Sequence, residues 1–174
     1  MPTRRQFLKA GLLGSVALAT VGGLYWARQS GPGQRESGRA LGERDRAVVA
    51  AIAPVILDGA LPAGEGRAAA LEQVVEGVER AVAGLSAAAQ GEVGDLFALL
   101  GFPLTRALVA GIWKPWGEAD AEDIASFLNS WRFSRFALLQ SGYAALHDLV
   151  FGAWYAAPES WAAIDYPGPP EVFR

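Results

Sequence analysis

Cysteine is absent from the chain, and histidine occurs once, at His147. Without thiols there is no disulfide framework, no thiolate metal site and no covalent attachment of a c-type haem. A compartment that oxidises thiols stays open to such a protein. With a single histidine, any histidine-based acid–base chemistry rests on His147, and a zinc site would be atypical. Charge is also sparse: 19% of residues are charged and the formal net charge is −3, which speaks against a nucleic-acid partner. No segment alternates polar and apolar residues as a strand would, and no internal repeat is present. Positions 101–117 contain no phosphate-binding loop pattern. Ser134, Ser141 and Ser160 lack the setting of an activated nucleophile. What the chain does have is apolar bulk, 52% of its residues, enough for one well-buried domain once any leader is set aside.

The first residues run Thr3-Arg4-Arg5-Gln6-Phe7-Leu8-Lys9. Arg4, Arg5, Phe7, Leu8 and Lys9 together match a twin-arginine export signal, which is read by the translocase that moves folded proteins into the periplasm. An uncharged apolar stretch follows over 10–27, diluted by Gly11, Gly14, Gly22 and Gly23. Basic residues ahead of an apolar segment hold that end in the cytoplasm. Such a segment is targeting sequence and stands outside the fold. As a helix it would span roughly 27 Å against a hydrocarbon core of about 30 Å. Both cleavage and retention as a short anchor to the inner membrane are therefore compatible with it. Residues 28–40, rich in Gly, Ser, Arg and Gln, read as a flexible linker. With Arg4, Arg5 and Lys9 in the leader, 12 of the 15 basic residues remain against all 18 acidic ones, a balance of −6. That balance argues against an anionic membrane surface as the main partner of the body.

Residues 41–174 read as an all-α domain, a compact bundle of about five or six helices with an extended Pro/aromatic C-terminal tail. A first helix from about Glu43 carries Val48, Val49, Ile52, Val55 and Ile56, with a kink expected at Pro54. A second carries Leu71, Val74, Val75, Val78, Val82 and Leu85. Ser86 is a candidate N-cap for a third, which Gly101-Phe102-Pro103 breaks. Pro103 opens a short fourth helix. Asp120, Glu122 and Asp123 suit a capped helix start better than a metal site, and Ile124, Phe127, Leu128 and Trp131 form that helix's core stripe. The longest helix is expected over 132–156 as the centre of the bundle. Its few polar residues, Gln140, Ser141, His147 and Asp148, fall within one arc of about 120°. From Pro158 onward the prolines predict a non-helical, extended tail.

No pair of cooperating polar groups can be assembled from the sequence. The neighbours of His147 at three and four residues are Tyr143, Ala144, Val150 and Phe151, none of them a carboxylate. Asp148 points about 100° away. No catalytic, cofactor-binding or metal-ligating residues are therefore expected, and the reading is of a protein that binds rather than catalyses. Trp113 and Trp116 flank Lys114-Pro115 in a loop, where an exposed aromatic would suit an interface. Gln140 and His147 on the polar strip, and Trp161, Tyr166, Pro167, Gly168, Pro169 and Pro170 in the tail, complete the candidate partner surface.

The arginine-pair leader, the run Ala53-Pro54-Val55-Ile56-Leu57, the helix end Phe151-Gly152-Ala153-Trp154-Tyr155 and the tail Tyr166-Pro167-Gly168-Pro169-Pro170 together resemble one family. It is the small subunit of membrane-associated gluconate and sorbitol dehydrogenase-type complexes. The resemblance covers about 46–170; the family tail often has Gly where this chain has Asp165. It implies a large FAD-carrying partner of the glucose–methanol–choline oxidoreductase type, without an export signal of its own. It further implies that the small subunit, itself without cofactor, carries that partner through the twin-arginine route and stabilises or anchors it in the periplasm. Electrons would then pass to a cytochrome c subunit or another membrane acceptor. Two other readings stay open: a stand-alone envelope enzyme using His147 and Asp148, and a membrane-anchored binding or structural protein without a redox partner.

Overall fold

The computed structural model describes residues 41–164 and 166–168. The expected leader with Arg4, Arg5, Phe7, Leu8 and Lys9, the linker, and Pro169 and Pro170 lie outside the described residues. Among those described the protein is all-α. Helix α1 (Glu43–Ile56) is followed by α2 (Gly66–Ala83), α3 (Ala87–Gly101) and the single turn α4 (Pro103–Thr105). The last of these runs directly into a π-helical turn (Arg106–Ala110). A 3-10 turn (Trp116–Glu118) leads to α5 (Ala121–Arg132) and α6 (Ala137–Tyr155), and a 3-10 helix (Pro158–Ile164) closes the chain.

The elements begin and end where local chemistry requires. Asp45 reaches back from the first turn of α1 to accept the Gly42 N–H at 3.1 Å. Pro54 sits in the last turn of α1; it has no N–H to give the Ala50 carbonyl, and the helix ends two residues later at Ile56. Ser86 caps α3 as expected, its Oγ accepting the Ala89 N–H at 3.3 Å. Phe102 ends α3 and Pro103 opens α4. Asp120 does occupy the N-cap position of α5, but its side chain makes no capping bond. Its carboxylate is taken instead by Lys114 Nζ at 2.6 Å.

The core is built on α1. Val48, Val49, Ile52 and Ala53 are sealed from solvent, and the helix packs against α2, α3, α5, α6 and the Trp116 turn. The long C-terminal helix α6 packs against α2, α5 and α1, with one side open to solvent. Across the core, Phe97 and Leu100 from α3, the stripe Ile124, Phe127, Leu128 and Trp131 from α5, and Leu146, Val150 and Trp154 from α6 converge. Each such side chain stabilises the fold by about 1.5–3 kcal/mol relative to leaving it in water. Phe127 stands edge-on to Trp131 (4.9 Å) and to Trp116 (6.1 Å). The buried indole N–H groups are satisfied by carbonyls: Trp116 donates to Leu100 at 2.9 Å and Trp131 to Val109 at 3.2 Å. Between α1 and α2 the Arg46 guanidinium bridges Glu72 (2.5 Å) and Glu79 (2.6 Å).

Two boundaries differ from expectation. The helix predicted over 132–156 is shorter at its start: α5 ends at Arg132 and α6 runs unbroken from Ala137 to Tyr155. The intervening turn is closed by Ser134, whose N–H donates to the Trp131 carbonyl and whose Oγ accepts the Phe136 N–H at 3.1 Å. Likewise the segment after Pro158 is a 3-10 helix to Ile164 rather than an extended tail. Pro at its first position needs no donor there, and Ser160, sealed from solvent, closes the turn by donating from Oγ to the Ala157 carbonyl at 2.8 Å. Residues 166–168 have no regular secondary structure.

No single helix among the described residues is long and apolar enough to cross a membrane. Residues 87–110 taken together have the length and composition, but the chain bends by 77° between Ala87–Gly101 and Pro103–Ala110.

Candidate interaction surface

The positions proposed from sequence fall into three groups. The first is the loop before α5. Trp113 is 79% exposed, whereas Trp116 is buried. Trp116 is therefore removed from the candidate surface: its ring fills the space beside Phe127 and its N–H is spent inside the core. The loop between them is held from beneath by Arg106. This arginine is buried and donates from Nε to the Ile112 carbonyl (3.1 Å) and from Nη2 to the Trp113 carbonyl (3.3 Å). A hydrogen bond from Lys114 to Asp120, reinforced by the charge of that carboxylate, raises the lysine pKa above its ordinary value. Trp113 is thus an exposed aromatic on a braced loop.

The second group is the outer side of α6. Ala137, Ser141, Ala144, Asp148, Gly152 and, just past the helix end, Ala156 are exposed and follow one another at three- and four-residue spacing. They form one narrow line along the helix. Beside it runs a ladder of half-buried rings. Tyr143 lies 5.7 Å from His147, His147 stacks on Phe151 at 4.4 Å, and Phe151 lies 5.3 Å from Tyr155. Arg132 stands over the Tyr143 ring at 5.9 Å. Asp148 is the one charged residue of the Asp/Glu/Lys/Arg set in this helix. Gln140 is exposed, but its Nε2 donates to the Ser134 carbonyl at 2.8 Å, so it braces the turn before the helix.

His147 and Asp148 do meet, contrary to the expected divergence: Nδ1 lies 3.1 Å from Oδ1. The His147 side chain is 33% and the Asp148 side chain 80% exposed. The imidazole thus lies between the Tyr143 and Phe151 rings. An open groove of about 580 Å³ runs between α2 and the end of α6. Its lining includes Glu76, Gly77, Arg80, Gly152, Ala153 and Glu159. No group of three or more metal-ligating side chains occurs among the described residues.

The third group is the tail, which is a folded hook. Trp161 donates from its indole N–H to the Tyr155 carbonyl at 2.9 Å, tying the 3-10 helix to the end of α6. The chain then turns back: the Tyr166 N–H donates to the Trp161 carbonyl at 3.0 Å, and the Tyr166 ring stands edge-on to the indole at 5.4 Å. Gly168 is buried against the same indole with φ at 95°. A methyl group there would sit 2.9 Å from Trp161 Cζ3. Tyr166 and Pro167 remain exposed.

Sequence reading missed one feature. Phe133 (75%), Phe136 (56%) and Leu138 (77%) project from the α5–α6 turn, and Phe102 (54%), Leu104 (62%) and Leu108 (48%) from the α4 region. The missed signal was Ser134 between two arginine–phenylalanine pairs, a turn candidate inside what otherwise reads as continuous helix. No family model, no curated protein and no solved structure matches the chain.

Proposed function

We propose that the protein is a non-catalytic accessory subunit. It binds a large FAD-dependent dehydrogenase of the glucose–methanol–choline type, accompanies it through the twin-arginine route, and stabilises or anchors it in the periplasm. The observation that carries this reading is the outer side of α6. An exposed helical line of Ala, Ser and Gly, with Asp148 its one charged residue, lies beside a ladder of four half-buried rings. A face meant only for water is normally rich in charge. Depletion of charge beside aromatic side chains is the composition of a protein–protein contact. Small residues on the line let a partner's backbone or helix approach closely. The hook presents Tyr166 and Pro167 at the end of the same helix.

The leader pattern and the family resemblance supply the identity of the partner and the export route. They agree with a surface suited to holding another protein. A large exposed bulge at the centre of the line tests the assignment. Ala144→Arg and Gly152→Arg point into open surface and leave the core untouched, so the circular dichroism of each variant should match the parent. Each should lose the dehydrogenase from the affinity-purified complex. Retention of a stoichiometric flavoprotein by both folded variants would remove this face from the interface. The enzyme reading, favoured by the His147–Asp148 contact, predicts instead that the isolated chain turns over a substrate and that His147→Ala stops it.

A further inference from the structure

We infer that the α5–α6 turn is a docking tip for an anionic lipid surface. This inference is independent of the dehydrogenase reading. Within seven residues the turn presents Phe133, Phe136 and Leu138, each more than half exposed, together with exposed Arg132 and Arg135. The guanidinium of Arg132 lies 5.2 Å from the Phe133 ring centre and that of Arg135 lies 5.0 Å from the Phe136 ring centre. Each aromatic side chain is therefore accompanied by its own cation. Rings that enter the headgroup region beside arginines that meet the lipid phosphates are the arrangement of an interfacial anchor.

The charge of the whole chain conceals this end. All 18 acidic residues lie outside 96–117 and 124–147, although the chain is net negative. The two acid-free segments are stitched together by the Trp131 indole bond to the Val109 carbonyl. The first of them contains the bend of 77° in an otherwise span-like apolar stretch. Phe97 and Leu100 on one arm are buried in the core, so this stretch packs within the protein. It leaves Leu104 and Leu108 exposed beyond the bend. An acid-free apolar end on an acidic protein orients that end toward an anionic bilayer. A protein partner would also accept aromatic and arginine side chains. The pairing of each ring with a cation on an exposed turn, with acid missing from both segments, favours lipid.

The chain has no cysteine, so a single introduced thiol can be labelled without ambiguity. The full chain carrying Leu138→Cys, with an environment-sensitive fluorophore, is mixed with vesicles containing about 30 mol % phosphatidylglycerol, or with neutral phosphatidylcholine vesicles. The comparison protein carries the label at Gly152→Cys, roughly 21 Å further along α6. Because the leader is present in both, vesicle attachment through it does not distinguish them. The label at 138 should shift to the blue on anionic vesicles only, while the label at 152 stays unchanged. Arg132→Gln with Arg135→Gln should weaken that response about thirty-fold in lipid concentration, about tenfold for each 1.4 kcal/mol at ~1 kcal/mol per arginine. The inference is overturned if the label at 138 is silent on anionic vesicles or responds equally to neutral ones. It is equally overturned if that label responds to added dehydrogenase without vesicles, which would make the tip a protein contact.

Discussion

Gly77 and Gly142 are where a single hydrogen in place of a side chain decides how helices meet. A methyl group on Gly77 would lie 2.8 Å from the Ala153 Cβ and 3.3 Å from its Cα, so α2 and α6 could not keep their present contact. A methyl group on Gly142 would lie 2.6 Å from Trp131 Cζ3, inside the ring that anchors α5. Gly91 on α3 meets nothing within 4 Å. Alanine gains about 0.5–1 kcal/mol over glycine within a helix, whereas overpacking a core costs about 1–3 kcal/mol. Gly91→Ala should therefore raise the urea midpoint, while Gly77→Ala and Gly142→Ala should lower stability by about 1–2 kcal/mol. Equal effects at all three positions would contradict the packing described. None of this was legible in the sequence. A glycine required by a close approach and one in open space look alike until the neighbour is known, and the neighbours here are distant in the chain.

At the scale of elements, local signals were sufficient where they were strong. Ser86, Pro103 and the stripe from Ile124 to Trp131 act as the residue pattern predicts, because capping, proline geometry and helical periodicity depend on near neighbours. The failures came where apolar residues continued through a break. Phe133 and Phe136 keep a hydrophobic rhythm across 132–138, yet both point to solvent, because Ser134 closes a turn there. The tail failed in the other direction. Pro158 begins a 3-10 helix, and the aromatic side chains hold the following segment against it. The hook is a local device and should fail locally. Gly168→Ala places a side chain against the Trp161 ring at a positive φ. Cleavage of the tail by a dilute protease should become several-fold faster, with global stability changed by less than about 0.5 kcal/mol. A large fall in the global unfolding midpoint would instead make the hook part of the cooperative core.

For the whole molecule, the all-α class and the burial of the main apolar stripes could be read from the sequence, because they follow from periodicity and composition. The candidate surface could be read only in part. Trp113 and His147 were identified from composition and solitude, and both lie at least partly in solvent. Trp116 looked the same in sequence and is core, since burial depends on which neighbours arrive from α3 and α5. The clustering of acid away from one end emerges only when two separated segments are brought together. The molecule thus offers two unlike surfaces, an uncharged line along α6 and an apolar, cationic turn before it. An accessory subunit that holds a partner and faces a membrane would use both.

The most direct measurement is purification of the full chain from its native cells under mild conditions, with the visible spectrum and subunit composition of what accompanies it. The account predicts a large subunit in fixed ratio with the absorption of oxidised flavin, released from the chain by Ala144→Arg. A colourless chain that accounts for all of the cellular pool, alone and with activity of its own, would contradict it.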